Sequence, residues 1–241
     1  MACYGSLAQW YDQFTGDVDY TKFADFYEVE FDRCGGQFHL LLDLCCGTGT
    51  LTEIMARRGY ELIAVDASAD MLMQAQEKCF ELSPAPLFLC QDAAELDLYG
   101  TVDAAYCSLD GINYIHPSDL PQLIKRLKLF VRPDGLFIFD VRDPEWIKSM
   151  DGDIFVDESD DAMCIWRADF DEEDNAIVYG MDIFSRRGKL WSRDSEEHVE
   201  YAHPLQWIEE LLKANSFGDI KLIPNFPEGH SGRIMITAKR I

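Results

Sequence analysis

Short apolar runs alternate with amphipathic stretches over residues 40–141. The apolar runs have the length of buried strands, and the stretches between them place apolar residues at helical spacing, as in the predicted helix over 118–130. This alternation favours βαβ units around a parallel sheet. Gly59 after the first helix, Ser68 before the second and a Pro-Gly turn at residues 132–135 mark the ends of elements. The pattern therefore predicts an α/β fold.

The pattern changes between residues 152 and 201, where apolar and polar residues alternate with the period of a strand. Polar turn signals separate the alternating runs, which is typical of an antiparallel meander. A predicted helix over 204–214 and two further strand candidates, DIKLI and RIMITA, follow this region. We therefore predict a core over 39–151 and 202–241, interrupted by an antiparallel β insertion over 152–201.

The first 38 residues form a third predicted segment, rich in Tyr, Phe and Trp at helix-like spacing. Aromatic side chains bury large apolar areas, so such a segment is stable only when its rings pack on another part of the molecule. The chain contains no internal repeat and no low-complexity linker. All three segments are therefore expected to form one globular unit.

Composition narrows the class of partner. Forty-eight per cent of the 241 residues are hydrophobic, as in a globular protein of one domain. Twenty-one Lys and Arg stand against 44 Asp and Glu, and the net charge of −23 repels a phosphate backbone, so nucleic acid is not an expected partner. The acidity serves solubility or, alternatively, favours cationic or amine acceptors.

Eight cysteines are scattered along the chain without a C-x-x-C pair, which is typical of reduced, buried thiols. Cysteines and histidines form no cluster with the spacing of metal ligands, so no metal site is predicted. The N-terminus lacks a basic flank, and no run approaches the roughly 18 apolar residues of a membrane helix. We expect a cytoplasmic protein without a membrane segment.

The most informative motif is LLDLCCGTGT at residues 41–50, a buried strand that runs into a glycine turn and then a helix. Ligands of open α/β sheets bind at this edge, and glycine lets the backbone approach them closely. The N-terminus of the following helix favours an anionic group such as the carboxylate of methionine. Dinucleotide binding is the alternative, but its third glycine would fall on Thr52.

Two further acids end the next predicted strands. Asp66 closes ELIAVD, about twenty residues after the glycine turn, where a carboxylate accepts hydrogen bonds from both hydroxyls of a ribose. Asp92 closes PLFLCQD, where it accepts from an adenine amino group while the backbone N–H of Ala93 donates to a ring nitrogen. With Asp43, these acids form a row along the predicted ligand-binding edge.

Together these motifs resemble those of the class I S-adenosylmethionine (SAM) dependent methyltransferases. DLCCGTGT is similar to the first motif of that family, AVDAS with Met71 to the second, QDAAEL to the third and CSLDGINY to the fourth. The opening YGSLAQWYDQFTGDVDY resembles the N-terminal lid of bacterial small-molecule members with a β insertion after the fifth strand. The resemblance covers the core over residues 40–141, and its motifs are specific as a set.

The resemblance implies a Rossmann-like α/β sheet, mostly parallel with an antiparallel last strand, an antiparallel β insertion and an N-terminal helical lid over residues 1–38. It implies SAM as cofactor and S-adenosyl-L-homocysteine as product. The residues implied to contact SAM are Asp43, Cys45, Gly47, Thr48 and Gly49 at the methionine part, Asp66 and Ala67 at the ribose, Met71, Asp92 and Ala93 at the adenine, Ser108 at the sulfonium, and Tyr4, Tyr11 and Tyr20 above it.

Catalysis by such an enzyme consists mainly of aligning the acceptor with the methyl group, which lowers the barrier by about 7 to 11 kcal/mol. A general base is needed only when the acceptor arrives protonated. The candidate catalytic residues follow the fourth predicted strand: Asp110, Asn113 and Tyr114, with His116 nearby. In the insertion, the residues that either line an acceptor pocket or face water are Arg167, Tyr179, Arg193 and His198.

The leading hypothesis is methyl transfer to a small-molecule acceptor at N, O or C by a monomer or homodimer. Sequence motifs of base-methylating enzymes, Asn-Pro-Pro-Tyr and Pro-Cys, are absent. One alternative is a SAM-binding sensor or partner protein without transfer activity. RNA methylation is a further alternative, and a basic patch at residues 125–128 is its main support.

Overall fold

The computed structural model describes residues 4–227 and 232–241, so the first three residues of the predicted lid lie outside it. Its helices are α1 (Tyr11–Phe14), α2 (Tyr20–Cys34), α3 (Thr50–Arg57), α4 (Ala69–Lys78), α5 (Leu120–Phe130), α6 (Pro144–Ser149) and α7 (Leu205–Ala214). Its strands are β1 (Leu40–Leu44), β2 (Glu61–Asp66), β3 (Leu87–Cys90), β4 (Val102–Cys107), β5 (Val131–Arg142), β6 (Ile154–Glu158), β7 (Ala162–Asp171), β8 (Ala176–Arg187), β9 (Leu190–Tyr201), β10 (Phe217–Pro224) and β11 (Arg233–Arg240). Two 3₁₀ helices cover Ala93–Glu95 and Gly111–Tyr114.

Seven strands form the main sheet in the order β10-β11-β5-β4-β1-β2-β3. Strands β1 to β5 pair in parallel, whereas β11 runs antiparallel between β5 and β10. The prediction of a mostly parallel, Rossmann-like sheet with an antiparallel last strand is confirmed. The order reverses beside β1, because the chain leaves β3 to place β4 on the other side of β1, and this reversal is where open α/β sheets bind ligands.

Helices cover both faces of the main sheet. Strands buried on two sides carry nearly continuous apolar runs, as residues 40–44 do with Asp43 as their single polar residue. On one face α5 and α7 bury Leu127 and Leu212 completely. On the other, α2 and α3 do the same with Tyr27 and Met55. Residues 20–34 of the aromatic N-terminal region therefore pack on the core sheet itself.

One predicted turn lies inside a strand. The Pro-Gly sequence at residues 132–135 forms an irregularity within β5, where Asp134 has a left-handed φ of 62°. Val131 pairs with Val102, and pairing resumes only at Leu136 with Ala104. The parallel ladder continues on both sides of the turn, so the strand begins earlier than the apolar run LFIFDV indicates.

The insertion forms a separate antiparallel sheet of four strands in the order β6-β7-β8-β9. Because side chains alternate along a strand, Ile177, Tyr179 and Met181 of β8 share one face of this sheet. That inner face packs on α6 and on the N-terminal residues Leu7 and Trp10. The aromatic start of the chain therefore has its packing partner in the insertion.

Over residues 4–227 and 232–241, no helix combines the length and the apolar character needed to cross a bilayer.

Replacing Leu212 with alanine is expected to lower the free energy of unfolding by about 2 to 5 kcal/mol, because it leaves a cavity where α7 packs on the sheet. Urea denaturation monitored by far-UV circular dichroism measures the change. Leu129→Ala is the matched control, since Leu129 is 61% exposed. Equal losses in the two variants would contradict the packing described for α7.

Candidate active site

A cavity of about 520 Å³ lies at the carboxyl ends of β1 to β4. These strands end at the same edge of the sheet, so the residues that follow them converge there. The predicted cofactor residues that line it are Tyr4, Tyr11, Tyr20, Asp43, Cys45, Gly47, Thr48, Asp66, Ala67, Met71, Asp92, Ala93 and Ser108. Gly49 is the one predicted cofactor residue outside this lining. Residues from the N-terminal region, from the sheet edge with its loops and from β9 thus form one site.

The two glycines after β1 have different roles. Both have left-handed φ angles, 54° for Gly47 and 73° for Gly49. A Cβ at Gly47 would have no protein atom within 4 Å, so this backbone stays open toward the cavity. At Gly49 a Cβ would come within 2.7 Å of the Cβ of Ala75, so this glycine lets α3 pack against α4. Gly49 therefore shapes the site without lining it.

Asp43 of β1 lines the cavity and is held in place by the helix that follows its strand. Its carboxylate accepts a hydrogen bond of 2.5 Å from the Thr52 hydroxyl, one turn into α3. Burial raises the pKa of Asp43 to about 7, although the hydrogen bond from Thr52 acts in the opposite direction. Thr52, which occupies the position of the missing third glycine, thus fixes the first acid of the row.

Asp66 joins the glycine turn to the start of α4. One carboxylate oxygen accepts from the backbone N–H of Gly47 at 2.9 Å, and the other from that of Ser68 at 2.8 Å. Burial raises the pKa of Asp66, whereas these backbone hydrogen bonds limit the rise. Asp92 is exposed and begins the next 3₁₀ helix by accepting from the backbone of Ala94 at 2.8 Å. The second and third acids are therefore fixed in orientation by backbone donors.

Three tyrosines line the cavity: Tyr4 and Tyr11 of the N-terminal segment (residues 4–19) and Tyr20 of α2. The rings of Tyr4 and Tyr11 meet edge to face with centroids 5.8 Å apart, and Tyr4 also contacts the ring of Tyr114. Burial raises the pKa of Tyr4 and Tyr11 well above the ordinary value and that of Tyr20 to about 12. All three phenols therefore stay neutral hydrogen-bond donors at physiological pH.

The N-terminal segment is anchored to the glycine turn through Asp12. Its carboxylate accepts hydrogen bonds from Thr48 at 2.5 Å and Thr50 at 3.3 Å, and pairs with the ammonium of Lys78 at 2.7 Å. These contacts join residues 4–19 to the N-terminus of α3 and the C-terminus of α4. Asp12 does not line the cavity, so it acts on the site through the position of the segment.

The same segment is also joined to the insertion. The backbone N–H of Leu7 donates to the Glu196 carboxylate at 3.1 Å, and the indole N–H of Trp10 donates to Ser185 at 2.9 Å. Both acceptors belong to the inner face of the small sheet. The N-terminal segment thus bridges the glycine turn and the insertion.

Of the three candidate catalytic residues, only Tyr114 lines the cavity. Asn113 is fully buried, where its amide donates to the carbonyl of Tyr201 and accepts from the backbone N–H of Arg142. Asp110 pairs with Arg142 at 3.3 Å and Arg233 at 2.6 Å. Burial raises the pKa of Asp110, but the two guanidiniums outweigh it and hold the pKa below its ordinary value. Asn113 and Asp110 thus hold the loop in place instead of facing the cavity.

A buried ion cluster underlies this loop. Asp140 of β5 accepts from the guanidinium of Arg233 on β11 and from the backbone N–H of Asp110 at 2.9 Å. All three residues are at most 7% exposed, so each charge depends on the others for compensation. The cluster therefore ties the loop after β4 to the carboxyl end of β5 and to β11.

The insertion contributes residues that the sequence pattern did not single out. Glu197, Val199 and Tyr201 of β9 line the cavity. Asp119 of the loop after β4 also lines it without having been predicted, and so does His116, which the sequence analysis named beside the catalytic candidates. The alternation of EEHVEY shows that every second residue shares a face, but it does not show which face meets the core.

The insertion residues first considered for an acceptor pocket lie elsewhere. Arg167 and Arg193 both pair with Asp182, at 3.0 and 2.6 Å, on the outer face of the small sheet. Tyr179 and His198 are buried on its inner face. None of the four lines the cavity. His198 lies on the opposite face of β9 from the lining residues Glu197, Val199 and Tyr201, whereas Arg193 shares their face but lies further along the strand, beside Asp182.

Known proteins resemble this chain in sequence and in fold. A family model described as "Methyltransferase domain" matches residues 41–135. A crystal structure of a SAM-dependent methyltransferase from Clostridium acetobutylicum is 30% identical, covers 98% of each chain and superposes with a TM-score of 0.86. The Bacillus subtilis (strain 168) protein with the printed name "Putative methyltransferase YqeM" is 28% identical over 98% of this chain and 97% of its own. SAM-bound CalS10 from Micromonospora echinaspora, an amino pentose methyltransferase, is 15% identical over 100% of this chain and 99% of its own, with a TM-score of 0.79, and shares the fold.

Fold, site and these matches define an α/β enzyme of the methyltransferase class. The chain belongs to the class I SAM-dependent methyltransferases, and its cofactor is SAM.

Replacing Asp12 with asparagine is expected to speed the dissociation of S-adenosylhomocysteine about three- to tenfold, because an exposed charge-assisted contact that holds the N-terminal segment is lost. A stopped-flow chase with excess SAM measures the rate. Asp17→Asn, at an exposed position of the same segment, is the control. Equal rates for both variants and the wild type would show that Asp12 does not hold the segment over the cofactor.

Replacing Arg233 with methionine is expected to destabilise the fold by about 3 to 5 kcal/mol at pH 7.5, because the buried Asp140 loses its cation and Asp110 keeps only Arg142. The loss should shrink as the pH falls and these carboxylates take up protons. Urea titrations at several pH values test this. Lys239→Met is the control on the same strand, where water screens the ion pair to Asp134, so its loss should change stability far less.

Proposed function

We propose that this enzyme transfers the methyl group of SAM to a small-molecule acceptor inside the cavity between the sheet edge, the N-terminal segment and β9. The observation that carries this proposal is the shared lining of one cavity by Asp66 at the sheet edge, Tyr11 above it and Tyr201 of the insertion. A volume of about 520 Å³ is within the usual range of small-molecule sites. The N-terminal segment is the proposed lid, and the insertion the proposed cap on the acceptor side.

The chemistry of the lining residues fits each part of SAM. The open backbone at Gly47, with Asp43, Cys45 and Thr48 beside it, suits the methionine part at the N-terminus of α3. Each carboxylate oxygen of Asp66 already accepts one backbone hydrogen bond and keeps a lone pair for a ribose hydroxyl.

The remaining proposed contacts lie on either side of these. Asp92, with the backbone of Ala93 and the side chain of Met71, supplies a polar and an apolar surface for adenine. Ala67 adjoins the ribose position, and Ser108 at the end of β4 adjoins the sulfonium. The neutral phenols of Tyr4, Tyr11 and Tyr20 form the proposed cover.

Bound SAM supplies a methyl group on a cationic sulfur, which a lone pair of the acceptor attacks directly. The protein's task is to align that lone pair with the carbon–sulfur bond and to exclude water, worth about 7 to 11 kcal/mol. Tyr114 is the proposed catalytic-loop contact, because it lines the cavity and its phenol is neutral: burial raises its pKa well above the ordinary value. The name of CalS10 supports an acceptor of comparable size, a small amino sugar.

Replacing Asp66 with alanine is expected to weaken SAM and S-adenosylhomocysteine binding about tenfold or more, as the loss of one or two charge-assisted bonds dictates. Isothermal titration calorimetry measures both dissociation constants. Glu77→Ala removes an equal charge from the exposed side of α4 and should bind like the wild type. Undiminished affinity in Asp66→Ala would remove the ribose contact from the proposal.

A further inference from the structure

The acceptor end of the cavity is defined here as the part lined by the loop after β4 and by β9. Its residues are Tyr114, His116, Asp119, Glu197, Val199 and Tyr201. None of these six residues is among those proposed to contact the cofactor, although the ring of Tyr114 contacts that of Tyr4. The chemistry of this end therefore reports on the acceptor.

Every charged side chain known to line the cavity is an acid. Asp119 and Glu197 belong to the acceptor end, and no Lys or Arg of residues 4–227 and 232–241 lines any part of it. A phosphate or carboxylate group entering this space would meet only like charges, whereas a cation would gain a partner. This lining also lies within a chain of net charge −23.

The charges of these two acids are not neutralised by an ion pair with any described residue, unlike those of two other carboxylates on the small sheet. Asp182 is neutralised by Arg167 and Arg193, and Glu196 pairs with His198. Glu197, by contrast, has no ion-pair partner in the described part of the chain. Asp119 is oriented by the Ser118 hydroxyl, which donates to it at 3.0 Å and leaves its charge in place. Both acids are exposed to solvent as well as lining the cavity, so a solvated acceptor can reach them.

The aromatic residues of the acceptor end add to this preference. The His116 and Tyr201 rings meet edge to face with centroids 5.0 Å apart, and their faces attract a cation or its attached C–H groups.

Behind Tyr114 lies Glu200, which is 5% exposed and whose Oε2 has no hydrogen-bond partner among the described residues. Burial and the nearby Asp110 raise the pKa of Glu200 to about 8, so this third carboxyl is largely protonated at neutral pH.

We propose that the acceptor is a small amine without phosphate groups, which binds as an ammonium ion between Glu197 and Asp119 and is methylated on nitrogen. This inference rests on the proposed function and names its substrate class. The ammonium first loses a proton to water at the open mouth. The nitrogen lone pair then bonds to the methyl carbon while the carbon–sulfur bond breaks and its electron pair stays on sulfur. S-adenosylhomocysteine and an N-methylammonium product result, and the charge that the two acids recognise is restored.

The test uses analogues of S-adenosylhomocysteine in which nitrogen replaces sulfur and carries an arm of two, three or four carbons. The arm ends in an amine or, in the matched partner, a hydroxyl group. Calorimetry should show at least tenfold tighter binding of the amine for one or more arm lengths. The preference should fall to within about threefold in the double variant Glu197→Gln/Asp119→Asn.

The matched control is Glu158→Gln/Asp160→Asn, which removes two charges from exposed positions at the other end of the small sheet and should keep the preference. S-adenosylhomocysteine itself is titrated into each variant as a measure of intact cofactor binding. Equal affinity for amine and hydroxyl arms of every length, with S-adenosylhomocysteine still bound, would overturn the amine inference alone. A preference that survives in Glu197→Gln/Asp119→Asn would overturn the assignment to these acids. Failure of the wild type to bind S-adenosylhomocysteine would overturn the proposed function.

Discussion

The buried pairing of Asp140 with Arg233 is the interaction on which the acceptor side of this enzyme depends. It joins the carboxyl end of β5 to the start of the antiparallel β11, where both residues are buried. Asp110 completes the cluster and fixes the loop after β4 by its backbone as well as its carboxylate. Because a lone buried charge is so costly, the three residues fix one arrangement of that loop. Tyr114, at the end of the same loop, takes its position from it.

A second constraint links the two segments that cover the sheet edge. The N-terminal segment has little structure of its own beyond the single turn of α1. It is placed by apolar contacts of Leu7 and Trp10 with the insertion and by the polar contacts of Asp12 with the glycine turn. The insertion, in turn, is held to the core through the hydrogen bond of Asn113 with the Tyr201 carbonyl. The N-terminal segment, the insertion and the glycine turn therefore form one connected unit.

Much of the cofactor end was predictable because its signals are local. A strand, a glycine turn and a helix follow one another in sequence, and parallel strands bring Asp43, Asp66 and Asp92 to one edge whatever the rest of the chain does. The tyrosines of the N-terminal region were predicted only through the resemblance of that region to known lids. Gly49 shows the limit of such reasoning. Its positive φ and its close approach to Ala75 require a glycine, but in the sequence this glycine looks the same as one that contacts a ligand.

The sequence by itself determined the parallel core, the antiparallel insertion and the row of acids, because hydrophobic period and chain order dictate them. Only the tertiary structure decided which acids line the cavity and which hold the scaffold together. Asp110 and Tyr114 are four residues apart, yet one faces a buried arginine and the other the cavity. Likewise His198 and Glu197 are neighbours on opposite faces of β9, and the face that meets the cavity depends on how two sheets pack. Such choices rest on contacts between distant segments, which local pattern does not encode.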